Sequence, residues 1–158
     1  MDYIVDFIKS FFSNYLIVSA ITGWLFAQLV KVIVDLFNKE KFRISNLLFS
    51  TGGMPSSHTA TVVSLCIACL IQEGATSPLF AITLILAIVV IIDALGVRYE
   101  TGKQAQVINK ITKELFSGKM EEFNTGLKEL VGHTPFQVFM GALVGIAVPI
   151  VMNIIMNL

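Results

Sequence analysis

Residues 77–97 read SPLFAITLILAIVVIIDALGV, and their reading decides what kind of molecule this is. A bilayer's hydrocarbon core, about 30 Å thick, needs about 20 apolar residues to be crossed by a helix. This stretch supplies them with a single charge, Asp93, near its end. A helix on the surface of a soluble domain would carry a polar face every turn. None is present here.

Working outward, three further segments fit the same length rule: about Asn14 to Phe37, Pro55 to about Ile71, and Pro135 to about Ile155. The chain of 158 residues is 55% apolar and 14% charged, with a mean hydropathy of +0.79. A water-soluble domain of that size would not be so apolar. The expected fold is all-α: one polytopic membrane domain over residues 1–158, with about four transmembrane helices. The opening MDYIVDFIKSFF is too short to span and carries Asp2, Asp6 and Lys9. It lacks the basic start and small-residue cleavage site of a signal peptide, so we expect a retained amphipathic helix at the interface. Between Arg98 and Thr134 lies a long polar loop in which QVINKITKELFSGKMEEFNTGLKELV (106–131) spaces its apolar residues helically among Lys and Glu. One or two amphipathic helices are expected there.

The net charge of zero hides a polarised molecule. Lys39, Lys41 and Arg43 follow the first span, and Arg98, Lys103, Lys110, Lys113, Lys119 and Lys128 precede the fourth. Cytoplasmic loops retain an excess of Lys and Arg, so both loops are expected in the cytoplasm and both termini outside, in a multi-pass protein of the cell membrane. A nucleic-acid binder would want a net basic face, and none is expected here.

Against this background GGMPSSHTA (52–60) stands out. Pro55 with Ser56 and Ser57 marks a helix start, whose N–H groups and dipole attract anions. Either the cluster caps the helix, or it holds an anion between N–H donors, hydroxyls and the imidazole of His58, with Gly52 and Gly53 permitting close approach. The second histidine decides which comparison matters. GHTPFQVFMGALVG (132–145) again places a histidine, His133, directly ahead of a proline-started span on the same side of the membrane. These are the only two histidines in the chain. A histidine in a membrane segment is by default a functional group.

PSSH at Pro55–His58 and GHTPFQVFMGALVG, together with DALGVRYETGKQAQVIN (93–109), resemble the small divergent branch of the type 2 phosphatidic acid phosphatase and vanadium haloperoxidase superfamily. That superfamily's signatures are K-x6-R-P, P-S-G-H and S-R-x5-H-x3-D. The resemblance implies a phosphatase whose third-signature histidine attacks phosphorus while the second-signature histidine protonates the leaving oxygen, with no metal or other cofactor. It makes His133 the candidate nucleophile and His58 the candidate general acid. Ser56 and the backbone N–H of Ser57 are the candidate phosphate cradle. Four spans are fewer than the six associated with the membrane enzymes of that superfamily, which leaves room for a homodimer that completes the bundle.

The departures are specific. Nothing reproduces K-x6-R-P, so its cations must come from elsewhere. Lys31, on one helical face with Gln28 and Asp35, is the first candidate, and a structural ion pair with Asp35 or Asp93 is its other reading. Arg43 is a second candidate, and a topology determinant otherwise. Leu127 occupies the third signature's arginine position, so Arg98, at the end of the third span, or Lys128 is expected to serve. Gln137 stands where the superfamily's aspartate orients the nucleophile. Its carbonyl can fix an imidazole tautomer but brings no charge. Asp93 can supply that charge through space, or act as counter-ion to Lys31 or Arg98.

Cys66 and Cys69 form C-x2-C inside an apolar helix with no further cysteine, which reads as packing. Gly141 and Gly145 form G-x3-G, which reads as close helix contact. Two function classes follow: a hydrolase of a lipid phosphate or diphosphate at the cytoplasmic face acting through a phosphohistidine, and a non-catalytic protein that binds, transports or organises lipid phosphates with the same fold.

Overall fold

Asn14 separates the first two helices. Its Oδ1 accepts from the N–H groups of Leu16 and Ile17, at 3.0 and 3.2 Å, and so starts α2 (Tyr15–Phe37) just after α1 (Asp2–Ser13) ends. The same chemistry starts the others. Ser56 caps α3 (Ser57–Glu73), Ser77 with Pro78 opens α4 (Pro78–Leu95), and Thr134 with Pro135 opens α6 (Pro135–Met156). Gly96 breaks the rod between α4 and α5 (Val97–Leu115). This is a computed structural model, described over residues 2–37, 53–115 and 133–157, and these six helices are its regular elements.

The protein is an all-α membrane helix bundle. Helix α3 lies at its centre, packed against α2, α4 and α6; α2 also meets α6, whereas α1 touches α2 and α5 touches α4. Among the described residues, three helical stretches are long and apolar enough to cross a membrane: α2, the run from Pro78 to Thr112 that contains α4, and α6. The expected span at Pro55 to Ile71 is instead the 17-residue α3, which is short of the usual span length. Its start is shifted because Ser56, not Pro55, caps it, and Pro55 stays outside the helix. Enclosure by three neighbours shields α3's backbone and small polar side chains from lipid.

The bundle is built inside out relative to a soluble domain. Its buried apolar residues are mostly small, among them Ala27, Ala60, Ala68, Cys69, Ala87 and Ala94. Large residues such as Ile82, Ile85 and Ile92 of α4 are exposed. Association without a hydrophobic drive needs close backbone approach, and glycines provide it. A Cβ on Gly141 would sit 2.5 Å from the Ser56 carbonyl oxygen, and one on Gly145 would sit 2.6 Å from Val63 Cβ. The expected G-x3-G contact thus seats α6 on α3. Beside it Gly23 lets α2 close on Ser64 and on the same Ala60 carbonyl that Gly145 approaches. Tyr15 Oη donates to the Pro149 carbonyl at 2.6 Å, pinning the start of α2 to the second half of α6.

Helix α1 leaves Tyr3, Ile4, Phe7 and Phe12 exposed, as an interfacial helix would. Helix α5 begins at Val97, ahead of the expected 106, and is amphipathic; the rest of the anticipated loop helices, 116–132, lies outside the described residues. Cys66 and Cys69 are buried, free thiols within α3.

Candidate functional site

The two helix entrances are tied to each other by the main chain. The N–H of Ser56, the α3 cap, donates to the carbonyl of Gln137 in the first turn of α6 at 3.0 Å. The Ser56 hydroxyl turns inward, where its oxygen accepts from the Thr59 N–H at 3.4 Å and from Thr59 Oγ1 at 3.0 Å. It is wholly buried, so its first task is the capping one. Ser57, the first residue of α3, is also buried, and its N–H belongs to the first turn, which has no intrahelical acceptor. His58 follows and is exposed.

At the α6 entrance, Thr134 and Gln137 form a reciprocal capping box. The Gln137 N–H donates to Thr134 Oγ1 at 3.3 Å, and the Thr134 N–H donates to Gln137 Oε1 at 3.0 Å. That same Oε1 stands 3.3 Å from Nδ1 of His133, which is buried just ahead of the cap. With the proton on Nδ1, the ring donates to the glutamine and Nε2 carries the lone pair.

The two rings lie 6.4 Å apart, centroid to centroid, inclined by 52°. One tetrahedral oxyanion can bridge that distance, taking a hydrogen bond of about 2.8 Å from each ring. Both rings sit at helix N-termini, each equivalent to roughly half a positive charge. They share a cavity of about 260 Å³ whose other lining residues are Val89, Val90, Asp93 and Ala94 of α4. These four recur at i, i+1, i+4 and i+5, one face of that helix. The carboxylate therefore shares a chamber with both imidazoles.

Lys31 is 2% exposed inside α2, where its methylene stem lies against Gly53. Gly53 has φ +94°, and a Cβ there would come within 3.2–3.4 Å of that stem. The glycine that leads up to PSSH thus accommodates the stem of Lys31. Lys31 is not among the residues lining the cavity. Arg43 and Lys128 lie outside the described residues, as does the side chain of Arg98, whose backbone is the second residue of α5. Among the described residues no group of three or more His, Cys, Asp or Glu is arranged to hold a metal ion.

A family model described as the divergent PAP2 family matches residues 12–148, which include every element of this site. The chain belongs to the divergent PAP2 family. It is also similar to an uncharacterized membrane protein, YuiD, of Bacillus subtilis (strain 168), at 38% identity over 150 residues, covering 89% of this chain and 94% of that one. No solved structure matches. Membership makes this a PAP2-related membrane protein in a bilayer.

In this divergent PAP2 chain the sequence pointed to both histidines, Gln137 and Asp93, which the fold gathers at one end of the bundle. It did not point to the α4 wall. Val89, Val90 and Ala94 belong to a helix that is apolar on every face, so nothing in their pattern separates a cavity lining from a lipid contact. The register with Asp93 was the one available signal. The second role of Gln137 was written in T-x-x-Q, a capping-box spacing.

Proposed function

We propose that this protein hydrolyses a lipid phosphate or diphosphate at the cytoplasmic face of the membrane, through a phosphohistidine and without a metal. The observation that carries the reading is the 6.4 Å approach of His58 and His133 across a cavity at two helix N-termini. Phosphoryl transfer needs an in-line nucleophile, a proton donor on the leaving side and positive potential around the equatorial oxygens. His133, its Nδ1–H held by Gln137, directs Nε2 at phosphorus. The N–P bond forms as the ester P–O bond breaks, and His58 gives its proton to the departing oxygen. A water then attacks phosphorus, His58 takes its proton, and the N–P bond breaks to release inorganic phosphate. First-turn N–H groups, Ser57 foremost, and the cations Lys31, Arg98 and Arg43 are the groups proposed to hold the oxygens. Asp93 supplies the negative charge for an imidazolium that Gln137 lacks.

The experiment is phosphate release from lipid phosphates by purified protein in detergent, for the native chain, His133→Ala and His58→Ala. Release by the native chain, abolished in both variants and blocked by vanadate, supports the enzyme. A second reading is favoured by one observation, the neutral carbonyl of Gln137 at His133: a protein that binds or moves lipid phosphates without cleaving them. Equal binding with no release by any of the three would establish that reading in place of the first.

A further inference from the structure

The cavity holds one group whose hydrogen-bonding capacity exceeds the charge-balancing role proposed for it above. A carboxylate in an anion pocket opposes its ligand, and Asp93 lines this one together with both histidines. We infer that Asp93 selects a lipid phosphomonoester bearing a hydroxyl beside its phosphate, which it receives as a hydrogen-bond acceptor while the imidazoles hold the phosphoryl group. The inference rests on the phosphate-site reading above and narrows its substrate.

Four properties of the site converge. An ionised carboxylate has about four acceptor sites and no donor, so whatever neighbour Asp93 already meets, it retains capacity for a ligand hydroxyl. It also penalises extra negative charge nearby, which disfavours a diphosphate relative to a monoester. The volume of about 260 Å³ lies just below the range of roughly 300–1,000 Å³ that houses whole drug-sized ligands, and suits a headgroup with its chain left outside. The chain has somewhere to go. Val89, one turn from Asp93 on the same α4 face, is 57% exposed on the apolar flank of the bundle, so the lining passes from the carboxylate directly to lipid-facing side chains. A site that hydrogen-bonds a substrate hydroxyl rejects an analogue lacking it more strongly than an apolar pocket rejects a methylene.

The test measures binding to the full-length protein in nanodiscs of zwitterionic lipid, using 1-acyl lysophosphatidic acid, its 2-deoxy analogue and glycerol 3-phosphate. The native protein is expected to bind the first at least about tenfold more tightly than the second, since the two differ only in the hydroxyl. In Asp93→Ala and Asp93→Leu, which carry no acceptor, that ratio is expected to fall below about threefold, and glycerol 3-phosphate is expected to bind the native protein at least about 100-fold more weakly than the lipid. Equal binding of the two lipids by the native protein, or a ratio unchanged in the variants, overturns the inference; if His58→Ala and His133→Ala still abolish binding, the phosphate-site reading survives it. Glycerol 3-phosphate binding as tightly as the lipid overturns the lipid assignment. Binding of none of the three overturns both. Should neither variant fold, the native protein's ratio alone decides for or against the hydroxyl.

Discussion

Gln137 Oε1 stands 3.3 Å from His133 Nδ1 while accepting the Thr134 N–H at 3.0 Å, so one side-chain carbonyl serves both the helix cap and the imidazole. The two duties can be separated. Thr134→Ala removes the hydroxyl half of the capping box and should cost about 1 kcal/mol of stability while leaving the glutamine in place. Gln137→Leu removes the ring's acceptor as well. It should lose a similar stability but lower phosphate release at least about tenfold, because the tautomer is no longer fixed. Thermal melts beside turnover assays on both variants check this; equal turnover in the two would show that the contact with His133 does nothing for chemistry.

Lys31 offers a second separation, between packing and charge. Its stem fills the space against Gly53, so Lys31→Met keeps an unbranched apolar chain there and deletes the ammonium. If the cation helps hold the ligand, lipid-phosphate affinity should drop at least about tenfold, as loss of a charged hydrogen bond would cause, with a melt close to native. Lys31→Ala should also lose stability, by about 2 kcal/mol, from the emptied volume. A Lys31→Met protein that binds as the native one does would restrict Lys31 to an internal ion pair.

The seat of α6 on α3 rests on the absence of one carbon. Gly141→Ala would bring a Cβ to 2.5 Å from the Ser56 carbonyl, a backbone atom that cannot swing aside. We expect a loss of about 1–3 kcal/mol, the usual cost of overpacking. Because Ser56 also donates to Gln137, the two entrances should part and lipid-phosphate affinity should fall with stability. Urea or thermal unfolding in detergent together with the binding assay would detect both, and a Gly141→Ala protein with a native melt would contradict the contact.

Much of this architecture was open to inspection in the sequence, and for physical reasons. Span length and the placement of proline before apolar runs are local properties, so α2, α4 and α6 emerge as spans, without their capping residues. His133 and Gln137 are four residues apart across a helix start, and their meeting follows from one turn of geometry. What stayed hidden depends on neighbours. The Ser56 hydroxyl meets Thr59, and α6 packs against the Ser56 carbonyl through Gly141, a closeness that no pattern near Ser56 records. The depth of Lys31 against Gly53, and the cavity wall of Val89 and Val90, exist through packing between helices distant in sequence.

Orientation is a separate matter with its own measurement. The charge asymmetry predicts that residues 98–134 face the cytoplasm and both ends face outside. In a chain with Cys66 and Cys69 replaced by Ala, single cysteines at Thr125, Asp2 and Asn157 report it through a membrane-impermeant maleimide. Intact cells should label positions 2 and 157 and leave 125 protected until lysis; the reverse pattern would put the site on the outer face.

The central claim is that His58 and His133 grip the same oxyanion. A double-mutant cycle measures this directly, as dissociation constants of one lipid phosphate for the native protein, His58→Ala, His133→Ala and the double variant. A shared ligand predicts a coupling of about 0.5–3 kcal/mol, with the double variant scarcely weaker than either single one. Strictly additive losses would mean that the two rings act at independent places, and would contradict the account.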